Sequence, residues 1–209
     1  MTGTVLVADD HPLFRQALRL AVEKILPEAA IAEAGTLATA VAAATAAPDL
    51  RLILLDLKMP GATGYSGIAL LHAECPGVPI LVVSSAEGAA AADEARAFGA
   101  IGFLHKGSDL GAIEAAVAAA IGRRPAPRSP APDSATEEIR ETVASLTPTQ
   151  LKVLLAVLDG QLNKQIAHNL GISEATVKAH MTAIMRKLDV RNRTQAALVA
   201  RSLGLDLAH

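Results

Sequence analysis

Five short apolar runs recur along the first 121 residues: Val5–Ala8, a weaker one near Ile31, Leu52–Leu55, Ile80–Val83 and Gly102–Leu104. They are continuous rather than alternating, and each is followed by a stretch with helical patterning: Pro12–Leu26, Thr36–Ala47, a helix near Ser66–Ala73, Ala89–Phe98 and Asp109–Ile121. A strand that is apolar on every residue has both faces covered, and strands that alternate with helices run parallel. The pattern predicts an α/β domain over residues 1–121, a doubly wound five-stranded parallel sheet with helices on both sides. With no Trp, one Tyr and three Phe in 209 residues, its core must be built from Leu, Ile, Val and Ala. The same scarcity of aromatics argues against base-stacking modules for RNA or single strands.

The character of the chain changes twice. Residues 122–145 begin with four prolines in eleven residues and show no apolar period, which reads as a semi-extended linker. Residues 146–209 show only helical signals. Thr147-Pro-Thr-Gln150 is a capping box with Pro at the first helical position, for a helix ending at Gly160. Asn163 opens a second helix closed by Gly171, Ser173 caps a third that runs to about Leu188, and Asn192 with Gln195 caps a fourth. Four short helices fit an all-α helix-turn-helix domain.

Charge follows the same division. Residues 1–121 hold 13 acidic and 7 basic side chains, whereas residues 146–209 hold 4 acidic and 8 basic ones. An acidic part followed by a basic one points to different partners, a cation or phosphate chemistry for the first and a polyanion for the second. The single Cys75 excludes a disulfide framework and a multi-thiolate metal site and fits a reducing cytoplasm. The N-terminus lacks the basic and apolar regions of a signal peptide, and the Ala-rich run Ala34–Pro48 is 15 residues, short of the ~20 that cross a bilayer. No membrane partner is expected.

In a doubly wound sheet, ligands gather beyond the carboxyl ends of the strands, where the strand order reverses. The reactive candidates all follow strands: Asp9 and Asp10 after the first, Asp56 after the third, Ser84 after the fourth and Lys106 after the fifth. Any one of them alone is an ordinary cap or a solvated strand end; five in strand-end order point to a site. Three carboxylates together repel one another unless a cation is present, and a hard divalent ion such as Mg2+ takes oxygen ligands while leaving room for phosphate oxygens. Asp56 could then attack a phosphoryl group, with the Lys106 ammonium stabilising the transferring oxygens.

On these residues the chain resembles a known family. Val5-Leu-Val-Ala-Asp-Asp-His-Pro, Leu54-Leu-Asp-Leu-Lys-Met-Pro-Gly, Val82-Val-Ser-Ser and Phe103-Leu-His-Lys are similar to the flavodoxin-like receiver domain of bacterial two-component response regulators across residues 4–121. The resemblance implies that Asp56 accepts phosphate from a sensor histidine kinase. It also implies that Asp10, Asp56 and the main-chain carbonyl of Lys58 hold Mg2+, with Asp9 acting through water. Lys106 would pair with the phosphoryl group, Ser84 would swing onto it, and Phe103 would be the aromatic switch. Many receivers carry Pro after this lysine; here Gly107 follows, as in the subclass with this type of C-terminal domain. His11, His72, His105 and His168 are read as structural.

In the third C-terminal helix Val177, Met181, Ile184 and Leu188 form one apolar stripe, so the opposite face presents Glu174, Ala175, Lys178, Ala179, Thr182 and Arg186. Such a helix fits the major groove, where Lys donates to guanine and Thr and Ala meet the thymine methyl. Lys164, Thr176, Arg193 and Thr194 lie near helix starts, which suit phosphate oxygens. Leu146-Thr-Pro-Thr-Gln, Gly160-Gln-Leu-Asn-Lys-Gln-Ile-Ala, Leu170-Gly-Ile-Ser-Glu-Ala-Thr-Val-Lys-Ala-His and Arg186-Lys-Leu-Asp-Val-Arg-Asn-Arg-Thr-Gln-Ala resemble the LuxR-type DNA-binding domain over residues 146–206. Thr149-Gln150 stands where that family usually shows Arg-Glu, so a common ion pair is expected to be missing. His180 either contacts phosphate or packs beside the helix start.

The two resemblances together imply a regulator of the NarL/FixJ class that binds double-stranded promoter DNA as a homodimer when phosphorylated, with Ala196, Ala197, Val199 and Ala200 as a pairing surface. Two alternatives remain. A Mg2+-dependent phosphatase also uses an Asp nucleophile with a Lys, but there the nucleophile lies in an Asp-x-Asp after the first strand, so no turnover enzyme is expected. A constitutive DNA-binding unit with the receiver as an interaction platform is the other.

Overall fold

The computed structural model describes residues 3–62, 64–85, 89–121 and 141–205. The chain divides into two compact units, each described by itself. The first runs β1 (Thr4–Ala8), α1 (Pro12–Ile25), β2 (Ala30–Ala34), α2 (Leu37–Ala46), β3 (Leu50–Asp56), α3 (Ser66–Glu74), β4 (Ile80–Ser84), α4 (Ala89–Ala97), β5 (Gly102–His105) and α5 (Leu110–Ala120). All strand pairings are parallel, in the order β2-β1-β3-β4-β5. This is the flavodoxin-like doubly wound arrangement, with its switch point between β1 and β3.

Side chains alternate across the sheet. Val5, Val7, Leu52, Leu54, Leu81, Val83 and Leu104 face a core completed by Leu18 and Val22 of α1 and Ile113 and Val117 of α5. The intervening Leu6, Ile53, Leu55 and Val82 are equally buried, with Ala40, Ile68, Leu71 and Ala95 supplied by the other helices and Phe98 by the turn that follows α4. Fully burying one Leu or Ile contributes about 2 kcal/mol, which is how a core almost without aromatics holds. β2 lies at the sheet edge and is largely accessible, so its sequence signal is weak. Helix starts are set locally: Thr36 and Thr39 form a capping box on α2, and the Asp109 side chain accepts from the Ala112 amide at 2.8 Å on α5.

The second unit consists of a helical turn at 141–144 followed by α6 (Pro148–Leu158), α7 (Asn163–Leu170), α8 (Glu174–Lys187) and α9 (Arg193–Ser202). Thr147 and Gln150 form the expected capping box, Gly171 closes α7 at φ 65°, and Ser173 and Asn192 cap α8 and α9. Val177, Met181, Ile184 and Leu188 are buried as the stripe requires. Residues 122–140, most of the expected linker, lie outside the described residues, as do the ends of the chain at 1–2 and 206–209. The last part of that stretch departs from the linker reading: residues 141–144 are helical and Val143 is 1% exposed, so packing starts before Leu146.

Candidate phosphoacceptor site and DNA-facing helix

The switch point places the acidic residues together. β1 ends at Ala8 opposite Leu55 of β3, so Asp9 and Asp10 emerge beside Asp56. Asp9 is fully buried and Asp56 is 2% exposed, a costly position for two carboxylates. The amide of Lys58 donates to Asp56 Oδ1 at 3.1 Å, and Lys106 Nζ donates to Asp56 Oδ2 at 2.8 Å. The same ammonium lies 2.6 Å from Asp9 Oδ2, so one cation bridges both buried carboxylates. It also lies 5.1 Å from the centre of the Phe14 ring, whose face favours a positive charge.

Burial pushes the Asp56 carboxyl above the usual aspartate range, against the opposing pull of Lys106 and the Lys58 amide. Burial alone would pull the Lys106 ammonium down; the hydrogen bonds and charges of Asp56 and Asp9 outweigh it and raise its pKa. Three carboxylates, those of Asp9, Asp10 and Asp56, thus gather around one ammonium. Asp9 Oδ2 and Asp10 Oδ1 have charged or imidazole neighbours but no aligned hydrogen-bond donor among the described residues. Carboxylate oxygens of Asp9, Asp10 and Asp56 and a ring nitrogen of His11 lie within 4.8 Å of one another. A set dominated by hard oxygens, two of them without donors, fits a divalent ion such as Mg2+.

Ser84 is fully buried at the end of β4, and its carbonyl accepts from the Lys106 amide at 2.9 Å. Phe103 is half-buried in β5 opposite Val82, on the other face of the strand from Leu104. At Gly107 the amide donates to His105 Nδ1 at 3.0 Å, and an added Cβ would meet that ring at 2.9 Å. Proline has no N–H and could not make this bond.

The structure places His11, read from sequence as structural, at the acidic cluster. Its Nδ1 lies 2.6 Å from Asp10 Oδ1 and 3.3 Å from Asp9 Oδ1, and its amide donates to Asp9 Oδ1 at 2.7 Å. Its adjacency to the acidic pair was the available signal. Two α1 residues also went unnoticed: Phe14, over which Lys106 sits, and Arg15, whose guanidinium donates to the Asp9 carbonyl at 2.6 Å.

In the second unit Glu174, Ala175, Lys178, Ala179, Thr182 and Arg186 are all exposed, as are Lys164, Thr176 and Thr194. The Thr182 hydroxyl donates to the Lys178 carbonyl at 3.0 Å, and the Thr176 hydroxyl bonds Ser173 Oγ at 2.8 Å. Arg193 is half-buried and donates to Asn163 Oδ1 at 3.0 Å and to the Gln161 carbonyl, so it ties α9 to α7. Lys187 donates to Gln150 Oε1 at 3.1 Å and to the Ser145 carbonyl at 2.8 Å, a charged-to-neutral link where an ion pair was expected to be missing. The pairing surface needs correction: Ala196 and Ala200 are fully buried in the unit's own core, and the exposed apolar residue of α9 is Leu198.

Residues 5–118 match the response regulator receiver domain, and residues 144–200 match the bacterial regulatory proteins of the luxR family. The chain is 39% identical over 207 residues to the glycerol metabolism activator of Pseudomonas putida, covering 94% of each protein. It is 33% identical over 205 residues to the nitrate/nitrite response regulator protein NarP of Escherichia coli, covering 93% of each. Among solved structures, the signal receiver domain of the response regulator NarL from Mycobacterium tuberculosis is 33% identical with a TM-score of 0.50, covering 58% of this chain and 98% of that one. Two family matches in this order, with relatives at least 30% identical over most of the chain, mean that the chain belongs to the two-component response regulators of the NarL/FixJ class.

Proposed function

We propose that this protein is a phosphorylation-dependent transcriptional regulator in which Asp56 accepts a phosphoryl group from a sensor histidine kinase and the C-terminal unit binds promoter DNA. The observation that carries the reading is Asp56 itself, 2% exposed at the end of β3, 2.8 Å from Lys106 Nζ and flanked by Asp9 and Asp10. A carboxylate oxygen of Asp56 forms the new bond to phosphorus as the bond to the donor's imidazole nitrogen breaks, and that nitrogen keeps the electron pair. Lys106 then has a phosphoryl oxygen to pair with, and Ser84 supplies a hydroxyl from the next strand. Asp10, Asp56 and the Lys58 carbonyl would hold Mg2+, with Asp9 through water. When bound, the ion neutralises carboxylate and phosphoryl oxygens.

The acyl phosphate adds negative charge where β3, β4 and β5 end, and Ser84 moving onto it would reshape the surface beside Phe103. Lys178, Ala179 and Thr182 would read base edges, Thr182 through its methyl because its hydroxyl is engaged. Lys164, Thr176, Arg186 and Thr194 would lie along phosphates, while Arg193, engaged with Asn163 and the Gln161 carbonyl, would position the start of α9 beside them. Pairing into a homodimer would use the shallow depression lined by Asp189, Val190, Arg191, Gln195, Leu198 and Val199. Among the described residues no helix is long and apolar enough to cross a membrane.

The test is labelling by acetyl phosphate. Asp56→Asn is nearly isosteric but a poor nucleophile, so it should lose a stoichiometric, hydroxylamine-labile phosphate while keeping the fold. Undiminished hydroxylamine-labile labelling of that variant overturns the assignment, and turnover of a phosphomonoester would favour an enzyme.

A further inference from the structure

Arg15 stands one turn into α1, in the fourth helical position. Helix side chains lean back towards the N-terminus, so its guanidinium reaches over His11 to the end of β1. There it donates to the main-chain carbonyl of Asp9 at 2.6 Å, and its Nε donates to Glu33 Oε2 of β2 at 3.4 Å. The Arg15 side chain is 21% exposed, and one fork thus joins α1, the acidic loop and the edge strand. A cation in the first turn of a helix opposes the helix dipole. Its placement there calls for another reason, and the Asp9 carbonyl supplies one.

The other contacts of Asp9 sharpen the point. Its amide donates to the Ala34 carbonyl of β2 at 3.0 Å, and its Oδ1 accepts from the His11 amide. With Arg15 on the carbonyl, the peptide plane between Asp9 and Asp10 is fixed, and that plane aims the Asp10 side chain. We infer that Arg15, anchored by Glu33, is a positioning residue that holds Asp9 and Asp10 in the geometry a divalent ion requires. The inference rests on the proposed Mg2+ site. Positioning and simple electrostatics predict opposite results. A positive charge near a cation site weakens binding, so by charge alone its removal would tighten Mg2+. By positioning, its removal loosens the ligands and weakens Mg2+.

The experiment is calorimetric Mg2+ titration of the full chain and of Arg15→Gln, Arg15→Lys and Glu33→Gln, with Asp10→Asn as the control that removes a ligand. Arg15→Gln should weaken Mg2+ about 10-fold, the lower end of what lost outer partners of a metal ligand cost. Arg15→Lys, which keeps the charge but lacks the fork, should weaken it as well; Glu33→Gln should follow in the same direction by less. At saturating Mg2+ the rate of acetyl phosphate labelling of Arg15→Gln should return to that of the parent, which a site broken by misfolding would not do. Unchanged or tighter Mg2+ binding in both Arg15 variants overturns the inference and leaves the metal site standing. A parent protein that binds no Mg2+ overturns both.

Discussion

Replacing Lys106 by Met tests the electrostatics of the site most directly. Met keeps most of the side-chain volume and removes the charge. In the parent, Nζ lies 2.6 Å from Asp9 Oδ2 and 2.8 Å from Asp56 Oδ2, and Lys106 is only 15% exposed. At an effective dielectric of about 20, each contact is worth roughly 6 kcal/mol of gross attraction, most of it offset by desolvation. Removing one member of such a buried set costs on the order of 3 to 5 kcal/mol, and the slight exposure of Lys106 favours about 3. The two units need not unfold together, so the probe must report the receiver alone. Tyr65 serves, because it is the only tyrosine, the chain has no tryptophan, and its ring stacks on Phe98 with centroids 5.5 Å apart. Urea titration followed by Tyr65 fluorescence in metal-free buffer should show a loss of about 3 kcal/mol at neutral pH. The pH dependence has a definite sign. The Asp56 carboxyl already titrates above its ordinary value, so its ionisation weakens the fold; without Lys106 it moves higher still. The stability of Lys106→Met should therefore rise as pH falls through that folded-state pKa, and Mg2+ should restore much of it at neutral pH. A loss under about 1 kcal/mol in metal-free buffer, or no gain on acidification, would refute the assignment of Lys106 as the main counter-charge.

Two further outcomes concern DNA. Lys178→Ala should cost on the order of 1 to 3 kcal/mol on the specific site and little on random duplex, whereas Arg186→Ala should weaken both alike and lower the salt slope by about one unit. Titration of operator and scrambled duplexes at several salt concentrations separates them, and equal losses for Lys178→Ala would demote it to a backbone contact. A fragment starting near Ser134 should bind operator without phosphorylation, because the acidic receiver is then absent. Weaker binding by the fragment than by the unphosphorylated whole chain at equal salt would instead favour control by dimerisation alone.

The elements that sequence revealed are those whose chemistry is local. Continuous apolar runs gave β1, β3 and β4, and caps such as Thr147, Ser173 and Asn192 set helix starts within a residue or two. Strand ends then brought Asp9, Asp10, Asp56, Ser84 and Lys106 to one edge of the sheet without any knowledge of side-chain contacts. What escaped depends on directions that a linear pattern does not carry. Arg15 and Phe14 join the site only because helix side chains lean backwards. Ala196 and Ala200 read as a pairing surface because alanine suits both a surface and a tight core, and only the neighbours of α9 decide between them. The turn at 141–144 was hidden by its proline-rich approach, although the buried Val143 anchors it.

The second unit has a closed interior of its own. Val143, Leu146, Leu151, Leu154, Ile166, Val177, Ile184, Ala196 and Ala200 are each 3% exposed or less. Its polar ties are internal as well, with Lys187 holding α8 to the start of α6 and Arg193 holding α9 to α7. The helix that carries the outward face of α8 is thus packed and tied within its own unit. If Asp56 is phosphorylated as proposed, no helix of this unit is left to fold, and what could change is how often that face meets DNA and in how many copies. A single short helix reading three or four base pairs binds weakly by itself, and two copies on neighbouring half-sites multiply the discrimination. On the proposed function, charge added at Asp56 would act on access to DNA or on pairing, and the fragment starting near Ser134 separates the two.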